Sequence, residues 1–344
     1  MADSQPTDPA LAEAIASLGR AMQTHPYNNI QEVNKPTAAQ IIQLPRWPEP
    51  VRGAPNTLLR SAFFAAIHSK RRKELGLRIK PAEPKKGVII AAQEGSFITY
   101  AGDQLNQYDA DVFFEALHRA RHHPLETECF FRGYDFLKAI GRPDGKREYE
   151  DLNNSLTRLR DGRVVINWKI GRDQYEFNGS LISSYEREIN SKLYKVTFAN
   201  KIHALFAPAC WTQLEWEERM ALKGKPLAQW LHGYFSSHAS PFPVSAVFLH
   251  QKTGSARPLL KHFRSDLKEA LKTLENFLGW KASWNDDLLT LERTPSGAQA
   301  RHLARCANAA KAANKHRRQR QDRGQPASLN NLIAEQYIRT KARV

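Results

Sequence analysis

Cysteine is scarce in this chain. Only Cys129, Cys210 and Cys306 occur, far apart and odd in number. Such spacing offers no disulfide framework, no CxxC pair and no Cys/His zinc pattern, so free thiols in a reducing cytoplasm are expected. No apolar run approaches the length needed to span a bilayer. The first residues, Met-Ala-Asp-Ser-Gln-Pro, have neither a basic nor an apolar region, so no secretory signal is expected. Catalytic signatures are missing as well. There is no GxxxxGK[ST] phosphate loop and no GxSxG nucleophile elbow. His122-His123 lacks the single intervening hydrophobic residue of a nuclease-type metal-binding histidine pair. These absences exclude the common ATP-driven, hydrolytic and rolling-circle chemistries, and the expectation is a non-enzyme without metal or cofactor.

What is present is positive charge. The net charge is +16, with a pI near 9.8, alongside 41% hydrophobic residues. That balance builds real cores and favours an anionic polymer or an anionic membrane surface as partner. A chain of 344 residues is too long for one ordinary domain. The expected fold is α+β: two winged helix-turn-helix domains in tandem, a flexible N-terminal arm and a basic C-terminal tail. The expected boundaries are 1–50 for the arm, 51–205 for the first domain, 206–295 for the second and main DNA reader, and 296–344 for the tail.

The second domain carries the clearest pattern. Pro226 opens a helix over Leu227–Phe235. Val244–His250 reads as a short helix, Lys252-Thr-Gly-Ser255 as a turn, and Ser255 to about Phe277 as a long helix. Gly254 is free to take a positive φ, Ser255 is a good N-cap, and Pro258 suits a first turn. Leu260, Phe263, Leu267, Leu271, Leu274 and Leu278 recur at the helical period. Arg257, Lys261, Arg264, Ser265, Lys268 and Lys272 take the opposite face, with Glu269 to one side. Gly279 closes the helix. Trp280–Trp284 and Leu288–Glu292 alternate like strands about Asn285-Asp-Asp287, the form of a wing. A basic helix entered through a tight turn suits a major groove. Arg257, Lys261, Arg264 and Ser265 are candidates for base edges and Lys252, Lys268, Lys272 and Lys281 for phosphates, with Ser255 at the head of the helix also counted as DNA-binding. A solvated charged face is the bland alternative.

A weaker copy of the same order lies earlier. Val88–Ala91 and Ser96–Tyr100 read as strands, and Asp109 caps a helix to Ala120. Tyr134–Ile140, Gly141–Gly145 and Arg147–Arg160 read as short helix, turn and long helix. Strands at Val164–Trp168, Gln174–Phe177, Ser180–Ser183 and Leu193–Phe198 could build a sheet-like wing. Glu148, Glu150 and Asp151 crowd the start of the long helix, leaving Asn153, Asn154 and Arg158 as DNA candidates, with weaker or phosphate-directed contact expected. Trp211 and Trp216, in the link 200–224, are expected to pack between the domains.

The ends differ in composition. Asp8–Gln23 has amphipathic spacing, and Ile41, Leu44 and Trp47 are expected to pack on the first domain. Ser69-Lys-Arg-Arg-Lys73 is a basic knot. Residues 296–344 hold eleven Lys/Arg and two acids. Within them Lys315–Arg320 is a dense basic run in Ala-rich, helix-capable sequence, and Ser328 is placed to cap a last short helix. A tail of one sign adds salt-sensitive, sequence-independent affinity for nucleic acid.

Short segments in a fixed order resemble the TrfA family of plasmid replication initiators. They are Trp47-Pro-Glu-Pro-Val-Arg with Ala54-Pro-Asn and Arg60-Ser-Ala-Phe-Phe64; Ile98-Thr-Tyr-Ala-Gly102; Tyr234-Phe-Ser-Ser-His238 with Pro241-Phe-Pro243; and Trp284-Asn-Asp-Asp-Leu288. The resemblance covers about residues 45–293. It implies two winged-helix domains that bind direct repeats (iterons) in double-stranded plasmid origin DNA, opening of adjacent DNA, and loading of the host helicase with DnaA and DnaB. It also implies exchange between inactive dimers and DNA-binding monomers, in a bacterial cytoplasm. The family's sliding-clamp motif has the form Gln-Leu-x-Leu-Phe. Here Gln40-Ile-Ile-Gln-Leu44 is followed by Pro45, a departure that removes the aromatic end. A winged-helix transcriptional repressor without initiator activity is the alternative reading of the same residues. An RNA-binding role has no RRM or KH signature to support it.

Overall fold

The computed structural model describes residues 42–75, 88–90, 96–170, 173–207 and 210–322. It is mixed α and β, with two hydrophobic cores. The first takes buried side chains from Leu44 to Trp216. The second takes them from Leu222 to Leu291.

The first core is assembled from distant parts of the chain. Strand β1 (Val51–Pro55) pairs antiparallel with β10 (Trp211–Glu215), Val51 opposite Glu215. A short helix, α1 (Asn56–Leu59), follows β1. Strands β2 (Glu74–Leu75) and β3 (Val88–Ile90) both pair with β4 (Ser96–Asp103). Helix α2 (Gln107–Ala120) begins at a capping box in which Asn106 accepts from the Asp109 N–H and Asp109 accepts from the Asn106 N–H. The N-cap is therefore Asn106, with Asp109 at the third helical position.

From α2 onward one order of elements occurs twice. In the first core it runs α2, β5 (Glu128–Arg132), α3 (Gly133–Ala139), α4 (Lys146–Asp161), then the hairpin of β8 (Ser184–Glu188) and β9 (Leu193–Thr197). The sheet order is β5-β9-β8. Between α4 and that hairpin sits another, β6 (Arg163–Ile170) with β7 (Asp173–Gly179). It extends the sheet of β2, β3 and β4. Of the four strands read from sequence as one wing, three form, and they divide between two sheets. Ser180–Ser183 is not a strand; Leu181 and Ile182 are buried there as a plug between the two hairpins.

The second core repeats the order as α5 (Trp216–Ala221) leading into α6 (Pro226–Ser236), β11 (Val244–Ser245), α7 (Ala246–Lys252), α8 (Leu260–Leu278), β12 (Lys281–Asn285) and β13 (Leu288–Glu292), with sheet order β11-β13-β12. Gly254 has φ +61, and a Cβ there would meet the Ala65 and Ala62 side chains at 3.0 and 3.1 Å. Gly279 caps α8 in the left-handed conformation. Val244–Ser245 is a strand rather than the start of the short helix, and the Ser245 hydroxyl caps α7.

Two domain assignments change. Leu44 and Trp47 are buried, as expected of them, and Trp47 stacks on Phe206, so residues 42–50 go with the first core rather than with an arm. Residues 206–215 do not belong to the second core. Trp211 lies against Trp47 and Phe206, and buried Trp216 donates to the Ala139 carbonyl at 2.8 Å. Both tryptophans lie in or against the first core, Trp211 from β10 and Trp216 from the first residue of α5.

The two cores meet through buried polar contacts. Arg219 donates to Asp111 at 2.6 Å and to Gln107 Oε1 at 3.1 Å, and Gln229 donates to the other Asp111 oxygen at 3.0 Å. Arg60 donates to the Ser237 hydroxyl and carbonyl, and Trp230 to the Ser61 carbonyl. The Ala66 N–H donates to the Thr253 carbonyl at 2.7 Å.

Candidate nucleic-acid interface

Helix α8 separates its faces sharply. Phe263, Leu267, Ala270, Leu271 and Leu274 are buried. Lys261, Arg264, Ser265, Lys268 and Lys272 are exposed. At about 100° per residue these five span only about 100° of the circumference. Four of them, Lys261, Arg264, Ser265 and Lys268, line with Leu260 an open groove of about 550 Å³. The arc presents four cations and a hydroxyl, with one acid, exposed Glu275, toward the C-terminal end of the helix.

The remaining second-core candidates stand elsewhere. The helix begins at Leu260, not Ser255. The cause is local: Pro258 disfavours helical backbone at Arg257, and the Ser255 hydroxyl accepts the Arg257 N–H at 3.2 Å in a turn. Ser255 and Arg257 are therefore outside the helix. The Arg257 guanidinium forms a two-point pair with Asp266, at 2.6 and 3.0 Å. That carboxylate raises the pKa of Arg257. Asp266 lies on the flank of α8 away from the basic arc, so Arg257 is drawn off the face the sequence assigned it to. Half-buried Lys252 extends over the Phe248 ring, and burial lowers its pKa. Lys281 is exposed and stands opposite Glu292 in the β12–β13 register.

The β12–β13 turn carries Asp286, at φ +53, and Asp287. Arg264 donates to Asp287 at 2.6 Å. The turn thus presents two carboxylates, one of them paired with a cation of the arc.

The corresponding helix of the first core, α4, gives a different result. Asn154 is exposed. Asn153 is half-buried and its side-chain oxygen accepts from the Tyr194 hydroxyl at 2.9 Å. Arg158 is a structural brace. It donates twice to Asp109, at 3.1 and 2.7 Å, beside Ser155 at 2.7 Å and Arg72 at 2.7 Å. Asp109 is fully buried, and removing one of its cations would leave charge unmatched, so Arg158 is not available to DNA. Between α4 and the β8–β9 hairpin runs a cleft of about 470 Å³, with Lys146, Asn153, Arg187, Ile189 and Lys192 on its walls. The sequence reading did not single out Arg187, Ile189 and Lys192. Their signal was the turn at residues 189–191 between alternating strands.

Beyond β13 the chain is helical again, as α9 (Gly297–Asp322). Its start is fixed by a Ser-x-x-Gln capping box, since the Gln299 N–H donates to Ser296 and the Ser296 N–H to Gln299 Oε1. Gln299 also donates to the Ser236 carbonyl at 2.6 Å. Arg293 donates to the carbonyls of Phe235 and His238 and to Gln299. Burial lowers the pKa of Arg293 to about 10. Arg301, Arg305 and Lys311 are exposed on this helix. Ser328 and residues 8–23 lie outside the described residues, as do Gln40 and Ile41 of the clamp-like stretch.

Among the described residues no helix is long and apolar enough to cross a membrane. Domains 2 and 3 of RctB align with a TM-score of 0.43 at 14% identity, over 63% of this chain and 95% of that one. The Pi initiator protein, crystallised with iteron DNA, gives a TM-score of 0.39 at 14% identity, over 53% and 88%. The plasmid replication initiator protein TrfA of Escherichia coli is 26% identical over 289 residues, covering 82% of this chain and 72% of that protein. The family model described as TrfA protein matches residues 9–293, which leaves α9 outside the match. With most of its length matched by that model, the chain belongs to the TrfA family.

Proposed function

We propose that this chain is a plasmid replication initiator that binds direct repeats in duplex DNA at an origin. The observation that carries the reading is the basic arc of α8, with Lys261, Arg264, Ser265, Lys268 and Lys272 exposed together over one narrow sector. A helix of this kind fits a major groove about 12 Å wide. Its setting supports the reading, because the order helix, strand, helix, helix, hairpin resembles that of a winged helix and recurs in both cores, interrupted in the first by the β6–β7 hairpin. The similar Escherichia coli protein bears the name of a plasmid replication initiator.

In this reading the second unit reads sequence and the first contacts the neighbouring part of the same repeat through Asn154 and the hairpin beside α4. Lys261, Arg264 and Ser265 meet base edges. Lys268 and Lys272 meet phosphates, helped by Lys252 and Lys281. Arg301, Arg305 and Lys311 on α9 add affinity that does not depend on sequence. Bound initiators then open adjacent DNA and bring DnaA and the DnaB helicase to it; dimer–monomer exchange and a sliding-clamp contact complete the family's scheme.

The test is binding of the full-length protein to duplexes from its own replicon, from low to physiological salt, followed by a strand-opening assay. Preference for a direct-repeat array over random DNA, with opening, is the expected result. Preference without opening would instead identify a repressor. Lys261→Ala is expected to alter preference at one or two base pairs, at about 1–3 kcal/mol each. Unchanged affinity and preference in that variant would remove α8 as the reader.

A further inference from the structure

We propose that Arg264 is the guanine-reading residue of α8 and that Asp287, across from it in the β12–β13 turn, is its positioning residue. The proposal rests on the DNA-binding reading above and specifies what the helix recognises. Arg158, Arg257 and Arg264 are the three arginines that the sequence offers as DNA contacts, and the structure separates them. Arg158 is committed to buried Asp109. Arg257 is held at two points by Asp266 on the flank of α8. Arg264 alone of the three lies on the exposed arc, lining the groove with Lys261, Ser265 and Lys268.

The mode of its pairing matters. One Nη2 hydrogen goes to Asp287 Oδ1 at 2.6 Å, and both side chains are only about half exposed, 49% and 44%. A guanidinium has five N–H donors in a rigid fork. A single bond to Asp287 fixes the direction of that fork and leaves an adjacent pair of hydrogens for an acceptor edge. In the major groove that edge is guanine O6 and N7, the commonest bidentate partner of arginine. Holding the long side chain in place before binding removes part of the ordering cost that recognition otherwise carries. The same geometry accounts for Asp287, one of the two carboxylates in this turn. Asp287 is explained as the anchor of Arg264. Its charge also opposes indiscriminate binding, so it favours the correct site over random DNA.

The experiment uses full-length protein and a duplex that it selects from a random pool. Each guanine of the selected site is replaced in turn by 7-deazaguanine, which deletes only the N7 acceptor. The wild-type protein is expected to lose about 5- to 150-fold in affinity at one position. Arg264→Ala is expected to bind more weakly and to be indifferent to that replacement. Asp287→Ala is expected to lose roughly tenfold for the selected site while keeping or gaining affinity for random DNA; Asp287→Asn, which retains an acceptor, is expected to recover part of the loss. An exposed ion pair with a purely structural role would shift stability slightly and leave the deaza response untouched. Wild-type binding that tolerates 7-deazaguanine everywhere would overturn the proposal, as would Arg264→Ala retaining the full deaza penalty. If no site is selected at all, the DNA-reading function itself has failed, which is a different result.

Discussion

Removing Asp111 tests whether the two reading units work as one rigid body. Asp111 is 4% exposed and Arg219 is 1% exposed. Their ion pair is 2.6 Å long, and Gln229 donates to the second carboxylate oxygen at 3.0 Å. Asp111→Ala leaves the guanidinium buried, with the Gln229 carbonyl at 3.2 Å and Gln107 Oε1 at 3.1 Å as neutral acceptors. Breaking a buried pair from one side typically costs about 3–5 kcal/mol. These remaining acceptors, with the Gln107 carbonyl at 3.4 Å, soften the loss, so about 3 kcal/mol is expected, a large share of a domain stability of roughly 5–15 kcal/mol. The pair joins α2 of the first core to α5 of the second. Its loss is therefore expected to separate their unfolding as well as weaken it. Urea titration followed by tryptophan fluorescence and circular dichroism reads both effects, as a lower midpoint and as probe-dependent transitions. The Arg219→Ala and double variants complete a cycle in which the double loss is smaller than the sum. DNA binding gives a second readout. With the units unlocked, affinity for a full repeat is expected to fall more than affinity for random DNA. A loss below about 1 kcal/mol with coincident transitions would refute the reasoning, because a buried unmatched cation cannot be that cheap.

His238 is neutral in the fold, its Nδ1 at 2.8 Å from the Tyr234 carbonyl, and burial beside Arg60 and Arg293 lowers its pKa from 6.5 to about 3. The unfolded chain therefore binds a proton first. Stability from this group is complete above pH 6.5 and falls by roughly 1.4 kcal/mol per pH unit below it, until about pH 3. His238→Gln is expected to flatten the pH dependence of urea midpoints between pH 6.5 and 4.5, and an unchanged slope would count against a neutral buried His238. Buried His232 and His118 are shifted in the same direction, chiefly by desolvation, and keep part of the acid sensitivity in that variant. Lys272→Ala is expected to weaken binding to all sequences alike and to lower the salt slope by about one; a change confined to one base pair would make Lys272 a base reader instead. Deleting residues 296–344 is expected to reduce affinity for random DNA more than it reduces the ratio of specific to random binding, as measured by competition across salt. An equal loss of the ratio would place α9 or the residues after it at the repeat itself.

What was legible in the sequence was whatever depends on neighbours. Apolar spacing marked the buried face of α8, and Gly254 and Gly279 marked its turn and its end, because period and φ are local properties. The face opposite the apolar stripe was also correct as a face. What spacing does not supply is the partner. Arg158 looked available on α4, yet its partner Asp109 lies 49 residues away and sits at the start of another helix. Arg257 looked like part of a basic stripe because Pro258 was read as a first-turn residue rather than as a block on the residue before it. The same blindness to distance explains the domain boundary. Strand β10 completes a pair with β1 across about 160 residues of chain, Val51 opposite Glu215, so a composition-based cut at residue 205 detached a strand from its sheet. The hairpin of β6 and β7 misled for a related reason: alternation identifies strands but not which sheet they join. Charge, by contrast, transmits its meaning without a partner only where nothing opposes it. On α8 the cations Lys261, Lys268 and Lys272 keep their exposure in the fold, and two acids assigned no part in DNA binding by the sequence reading, Asp266 and Asp287, decide what becomes of the two arginines. A DNA-reading surface is thus better judged by its acids than by its bases, since each carboxylate in reach either removes a cation from the interface or aims it.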